Sequence, residues 1–148
     1  MSQFMTGHIG LNVSNLLNSK AFYQKVFDFK TVHKSNEAGR EFAFMGDGNH
    51  LFLTLWQQSD GRFADNRPGL HHLSFQVDSI QDVVAIEAKL REDGISIFYD
   101  GIVPHREGQN SAALFFEDPD GIRLEIYTNS GGEDYQAPHS DAPSCGFF

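Results

Sequence analysis

The clearest pattern in the chain is an alternation over residues 7–13, where Ile9, Leu11 and Val13 share one face and His8, Gly10 and Asn12 the other. Period two is the signature of a strand with one packed face. Ser14 and Asn15 then offer N-caps for a helix with Leu17, Ala21 and Phe22 as its apolar stripe, ending near Phe27-Asp28. Residues 29–34, 40–45 and 50–57 read as strands, with Gly46-Asp47-Gly48-Asn49 as the last turn between them. The stretch 58–69 is polar, contains Gly61, Pro68 and Gly69, and reads as a link. Beyond it comes a strand over 71–77. A helix follows, N-capped by Ser79 with Asp82 three residues on, its stripe Ile80, Val83, Val84 and Leu90, and its end marked by Gly94. Residues 95–99 and 111–116 read as strands around a polar loop at 100–110. Asp118-Pro119-Asp120-Gly121 is a strong turn signal, and 122–127 is the last strand.

The two halves therefore have one plan: strand, helix, strand, strand, strand. They also share a motif. His8-Ile9-Gly10-Leu11-Asn12-Val13 matches His72-Leu73-Ser74-Phe75-Gln76-Val77 in residue type, at a constant offset of 64 residues. This predicts an α+β fold of two βαβββ modules, 5–58 and 70–128, within one domain over 1–128. The Gly-, Ser-, Pro- and Asp-rich segment 129–148 reads as a flexible tail.

Composition narrows the functional classes. The chain has 148 residues, enough for two small modules around a core. Its net charge of −9, from 11 Lys+Arg against 20 Asp+Glu, argues against a nucleic-acid or anionic-membrane surface. One cysteine, Cys145, excludes an intramolecular disulfide. No apolar run reaches the roughly 18 residues of a spanning helix, and the first residues lack the pattern of a signal peptide. The expected setting is the cytoplasm. Fourteen phenylalanines spread along the chain suit packed strands.

Parity within strands picks out candidate chemistry. In the last strand Ile122, Leu124 and Ile126 share a face, so Glu125 points the other way with Arg123 and Tyr127. His8 and His72 are likewise opposed to their apolar neighbours. Adjacent residues point to opposite faces, so His71 is left on the helix side or the strand edge. Taken singly, an inward histidine reads as a hydrogen-bonded core residue and Glu125 as a solvated charge. Taken together, on one predicted face and with the histidines at repeat-equivalent positions, two imidazoles and a carboxylate read as ligands of a divalent metal with open positions. Aligning the fourth strand of the first half with the last strand sets Thr54 against Glu125, between Phe52 and Trp56. A hydroxyl is a poor ligand, so three protein ligands are expected. Phe42 or Phe44 and Phe115 or Phe116 extend an apolar wall. Asn12, Gln76, Arg123 and Tyr127 are the polar pocket candidates, and Arg123 suits a substrate carboxylate or phosphate. Arg106, in the 100–110 loop, reads as a surface residue, with a cover over the site as the alternative. His33, His50, His105 and His139 have no comparable support.

These motifs, with Lys20-Ala21-Phe22-Tyr23-Gln24-Lys25-Val26-Phe27 and Glu117-Asp118-Pro119-Asp120-Gly121-Ile122-Arg123-Leu124-Glu125-Ile126, resemble the vicinal oxygen chelate superfamily of glyoxalase, bleomycin-resistance and extradiol-dioxygenase proteins, over residues 5–128. The resemblance implies a cupped, barrel-like mixed sheet with helices outside, built around a divalent metal: Fe(II), Mn(II), Ni(II) or Zn(II). The metal would chelate a small substrate through neighbouring oxygens. The ligands carry over to His8, His72 and Glu125. The further glutamate of glyoxalase I falls on Thr54. The histidine and tyrosine that extradiol enzymes carry near the metal fall on Gln57 or Gln58 and on Phe115 or Phe116, and the hydroxyl of fosfomycin enzymes falls on Gly10. The implied function is a metal-dependent enzyme with a dioxygenase-like ligand set. The alternatives are a lactoylglutathione lyase, a fosfomycin-type transferase, or a bleomycin-resistance-type binding protein without catalysis. The resemblance also implies a homodimer.

Overall fold

The computed structural model describes residues 1–148 and divides into two compact units, Met1–Phe63 and Ala64–Phe148. The boundary falls inside the polar link expected at 58–69. Each unit has its own mixed sheet, four-stranded in the first and three-stranded in the second, and no strand of one sheet pairs with a strand of the other.

The first unit runs β1 (Ile9–Asn12), α1 (Leu16–Phe27), β2 (Lys30–Ser35), β3 (Phe42–Gly46) and β4 (Leu51–Trp56), with sheet order β1-β4-β3-β2. β1 lies parallel to β4, pairing Gly10 with Thr54. Asn15 caps α1, its side chain accepting from the Asn18 N–H at 3.0 Å. The helix packs against β2, β3 and β4. Its buried side chains are Leu16, Ser19, Tyr23 and Val26. The expected stripe is displaced: Leu17 and Ala21 are exposed. Apolarity alone misplaced the helix face, because buried Ser19 carries no apolar signal while Leu17 on the solvent side does.

The second unit runs β5 (Leu73–Gln76), α2 (Ile80–Glu92), β6 (Ala112–Glu117) and β7 (Arg123–Thr128), with sheet order β5-β7-β6. β5 is parallel to β7 and β6 antiparallel to it, so β7 is the central strand. Leu124 and Ile126 are buried on one face of β7, while α2 packs against β6 and β7. α2 starts at a capping box: the Asp82 N–H donates to Ser79 Oγ at 3.2 Å, and the Ser79 N–H donates to the Asp82 carboxylate at 3.1 Å. It ends as Gly94 predicts. Gly94 has φ +69°, its N–H reaches Arg91 O, and the Ile95 N–H reaches Leu90 O. Val83 and Leu90 of the expected stripe are buried, and Val84 is exposed.

The strand expected at 95–99 is a single bridge, Ile97 to Phe116, followed by a 3-10 turn at Phe98–Asp100. Tyr99 and Asp100 sit at φ 59° and 62°, left-handed values that turn the chain off the sheet edge. Arg91 Nη2 donates to Asp100 O at 2.7 Å and fixes this turn from α2. The segment then rejoins the edge at Val103, whose N–H and carbonyl both pair with Ala113. Ile102, Val103 and Pro104 are buried, so the loop read as polar has an apolar anchor.

The segment 129–148, expected as a flexible tail, makes specific contacts with the second unit. The Gly132 N–H donates to Asn110 O at 2.7 Å. Ser144 is fully buried: its N–H donates to His105 O at 2.9 Å, its hydroxyl to Pro104 O at 3.0 Å, and its carbonyl accepts from the Tyr99 hydroxyl at 2.8 Å. Composition hides this, because three main-chain and hydroxyl groups do the anchoring instead of an apolar run.

Two measurements check these supports. Ser79→Ala removes the acceptor of the capping box and is expected to cost about 1 kcal/mol in denaturant unfolding. At Gly132 a Cβ would lie 2.2 Å from the main-chain oxygen of Ser111, whereas at Gly61 it meets nothing within 4 Å. Gly132→Ala is therefore expected to destabilise by roughly 1–3 kcal/mol, and Gly61→Ala to leave the unfolding midpoint near that of the unaltered protein.

Candidate functional site

Glu125 lies mid-way along the central strand of the second unit and is 3% exposed. Its neighbours on that face follow from the register. Ser74 of β5 stands beside it on one side and Phe115 of β6 on the other. Arg123 and Tyr127 flank it along β7, as strand parity requires. The Asp118–Gly121 turn sets where β7 begins. Asp118 Oδ1 accepts from the Asp120 and Ile122 N–H groups, both at 2.9 Å, and Gly121 takes φ +82°.

Two imidazoles meet this carboxylate. His72 Nε2 is 3.3 Å from Oε2. His105 Nε2 hydrogen-bonds Oε1. In its neutral form His105 donates through Nε2 to the carboxylate and accepts at Nδ1 from the Ser111 hydroxyl, 2.7 Å away. His72 and His71 lie just before β5, where strand parity no longer separates adjacent residues. His71 is consequently not turned away: the two Nδ1 atoms are 2.8 Å apart. Arg123 is fixed as well, with Nε donating to His71 O at 2.9 Å.

His105 was missed by the sequence reading, which gave it no support. It lies in a loop with no counterpart in the first half, so neither repeat nor parity could find it. The available signal was the apolar run Ile102-Val103-Pro104 immediately before it. That run pins the loop to the edge of β6 and delivers the ring over the sheet, 5.5 Å from the Tyr127 ring centre.

The remaining candidates are held in other ways. His8 is exposed and directly precedes β1. Thr54 is buried, and its hydroxyl accepts from Trp56 Nε1 at 3.0 Å. Trp56 packs with Phe42 and Phe44 at ring distances of 5.5 and 5.8 Å. Phe52 stacks on Phe29. Asn12 clamps the main chain of Gln58 in both directions, at 3.2 and 2.9 Å. Gln76 accepts from the Tyr127 hydroxyl at 3.1 Å. Phe115 and Phe116 are both buried, and Phe115 is the one on the Glu125 face. Arg106 is exposed.

The electrostatics of the cluster favour an ionised carboxylate beside a neutral imidazole. Burial works to raise the Glu125 carboxyl. The hydrogen bonds from His105 and Ser74, together with the charges of His105 and His72, outweigh it and hold the group below its ordinary value. His72 is lowered chiefly by burial, with His71 and Arg123 adding to this and Glu125 opposing it. A metal needs its ligands in these protonation states. Donors about 2.1 Å from one ion stand roughly 3 Å apart, so the His72–Glu125 separation of 3.3 Å suits two ligands of one divalent cation. The His71 imidazole at His72 Nδ1 holds the orientation of the His72 ring. No three of the chain's His, Cys, Asp and Glu side chains are arranged as a metal-holding group. His72 and Glu125 are thus the two expected ligands that the structure brings together.

Comparisons with known proteins agree with this architecture. The family model described as Glyoxalase/Bleomycin resistance protein/Dioxygenase superfamily matches residues 6–126. The chain is 28% identical to a metallothiol transferase FosB of Bacillus licheniformis, over 95% of this chain and 85% of that protein. It is 30% identical to a trivalent organoarsenical cleaving enzyme of Bacillus sp. (strain MD1), over 93% and 80%. A glyoxylase/bleomycin resistance protein/dioxygenase domain from Frankia sp. EAN1pec superposes with a TM-score of 0.76 at 28% identity, covering 88% of this chain and 96% of that one. The match spans both units, from just before β1 to the strand that carries Glu125, and the chain belongs to the glyoxalase/bleomycin resistance protein/dioxygenase superfamily.

Proposed function

We propose that the chain is a metal-dependent enzyme acting on a small molecule through neighbouring oxygen atoms, with His72 and Glu125 as protein ligands of a divalent cation. The observation that carries this reading is the buried Glu125 carboxylate, held ionised on a sheet face between two imidazoles. The similarity to a metallothiol transferase and an organoarsenical cleaving enzyme supports an enzyme over a passive fold. Fe(II), Mn(II), Zn(II) and Ni(II) all accept imidazole and carboxylate donors. When bound, such a cation supplies Lewis-acid polarisation of the oxygens it meets.

The chain's own residues have separate tasks. His105 holds Oε1 of Glu125, which leaves Oε2 on the His72 side and fixes the rotation of the carboxylate. Phe115 keeps that face dry beside it. Tyr127 is tied to Gln76 and borders the face on the far side. We also take the protein to be cytoplasmic, because its single cysteine fits a reducing compartment, and, on the resemblance, homodimeric. No helix is long and apolar enough to cross a membrane.

Metal analysis of protein purified without chelator tests the reading. His72→Ala and Glu125→Gln are each expected to lower bound metal at least tenfold. His8→Ala belongs in the same series, because His8 matches His72 in the repeat. Metal content unchanged in all three variants sinks the proposal. Anaerobic reconstitution with each cation, followed by assays with catechols, methylglyoxal–glutathione and fosfomycin, then reads the reaction class.

His105 is assigned a positioning role, so its loss must differ from loss of a ligand. His105→Gln keeps a donor to Glu125 and is expected to lower metal affinity by less than tenfold, whereas His105→Ala should lower it roughly 10- to 100-fold. A cation titration of both variants checks this. Equal affinities for the Gln, Ala and unaltered proteins would remove His105 from the site.

The face of the first unit favours a second reading. Thr54 is committed to Trp56, and Phe42, Phe44 and Trp56 form an aromatic surface opposite the buried Leu53 and Leu55. A bleomycin-resistance-type binding protein would use such a surface for an aromatic ligand without turnover. Ligand binding by metal-free protein, with no product formed after metal is restored, distinguishes it.

A further inference from the structure

The second unit holds the ring of Phe148 on the face that carries Glu125. That ring lies 4.5 Å from the ring of Phe115, the residue directly opposite Glu125 in the register. Phe98 stands 5.3 Å away edge-on and His72 5.8 Å away. Arg123, on the same face of β7, donates from Nη1 to the main-chain oxygen of Phe148 at 3.1 Å, and its guanidinium lies 5.5 Å from the ring centre. The contacts thus combine an aromatic slot with a cation aimed at an oxygen three carbons from the ring.

The segment is held tightly at Ser144 and more loosely in the residues after it. Ser144 is fully buried and makes three hydrogen bonds. Beyond it the chain makes one short 3-10 turn, Ser144–Gly146. Phe147 is 65% exposed, and Phe148 is only half-buried. A residue whose purpose is to complete a core would be closed over. This one is held through its ring, against Phe115, Phe98, His71 and His72, and through one oxygen, and none of these contacts involves Ser144.

We infer that Arg123, Phe115 and Phe98 form a subsite for a ligand with an aromatic ring and an anionic oxygen a few bonds away, and that residues 145–148 occupy it until such a ligand displaces them. The inference rests on the reading of the Glu125 face as the functional site. Phe148 then acts as an internal competitor. The apparent affinity of a ligand falls by the fraction of molecules in which the slot is free. Arg123 takes over the ligand's anionic oxygen with a charge-assisted hydrogen bond, and the ring takes the place of Phe148 against Phe115.

The probe is 3-phenylpropanoate, which reproduces the ring, the two connecting carbons and the oxygen of Phe148. Cys145 reports displacement. It is the one cysteine of the chain, it packs in the cluster of Phe115 and Phe148, and burial followed by the charge of Glu125 pushes its thiol up. In the unaltered protein, 3-phenylpropanoate is expected to speed reaction of Cys145 with a thiol reagent several-fold, and hexanoate, which lacks the ring, to leave it unchanged. Phe148→Ala is expected to bind 3-phenylpropanoate about tenfold tighter than the unaltered protein, as for a slot nine-tenths occupied. Arg123→Gln should weaken the probe in both backgrounds. The inference is overturned by probe affinity equal in Phe148→Ala and unaltered protein, or by a Cys145 rate that the probe does not raise. Neither readout involves metal. Bound metal without a probe effect overturns this inference alone, and a probe effect in protein that binds no metal overturns only the metal reading.

Discussion

A carboxylate in the middle of a central strand must be compensated, because several kcal/mol of desolvation otherwise oppose its charge. Glu125 sets that condition for the second unit. Its face is composed of what the condition demands: the Ser74 hydroxyl at its register partner, His105 on one oxygen and His72 on the other. Each of these groups needs its own support. His105 is backed by Ser111, His72 by His71, and the His71 carbonyl by Arg123. The chain of bonds runs from one sheet edge to the other and leaves His72 with its ordinary charge disfavoured. Structural ion pairs usually recruit a permanent cation; here the immediate partners are imidazoles, which can give up their hydrogen bond to a metal.

The first unit shows the same architecture without the charge. β1 pairs with β4 as β5 pairs with β7, so Gly10 opposite Thr54 corresponds to Ser74 opposite Glu125. With a hydroxyl in place of the carboxylate, no compensating imidazole is required, and one indole N–H satisfies it. The space beside it goes to aromatic rings. Gly10 fits this change: a Cβ there would meet Thr54 Oγ1 at 3.3 Å and Trp56 Nε1 at 3.6 Å. The two units thus share this pairing register while their faces differ, one polar and charge-bearing and one apolar.

What was legible in the sequence follows from which signals are local. Strand parity put Glu125 on the face opposite Leu124 and Ile126, and the repeat singled out His72 and set Thr54 as the equivalent of Glu125. Both depend only on period two and on a pairing register that the modules share. The α1 stripe was misread because Leu17 is apolar yet exposed, while Ser19 is polar yet buried. The strand at 95–99 failed for a different reason. Two consecutive left-handed residues break it, and neither Tyr99 nor Asp100 is a glycine that would signal such a turn. His105 depended on that turn and on the Val103–Ala113 bridge, which are tertiary outcomes with no periodicity to betray them.

The same loop joins the cluster to the end of the chain. Ser144 donates hydrogen bonds to the main-chain oxygens of Pro104 and His105, the residues that present the His105 ring to Glu125. Tyr99, in its left-handed turn, secures this anchor from the other side by donating its hydroxyl to Ser144 O. Arg123 completes the circuit, since one guanidinium bonds both the carbonyl of His71 and the oxygen of Phe148. A planar group with five fixed donors can serve two acceptors at once. If one acceptor leaves, the guanidinium stays aimed by the other. Arg123 is therefore already oriented for an incoming oxygen when Phe148 departs, and little further ordering is needed to bind it.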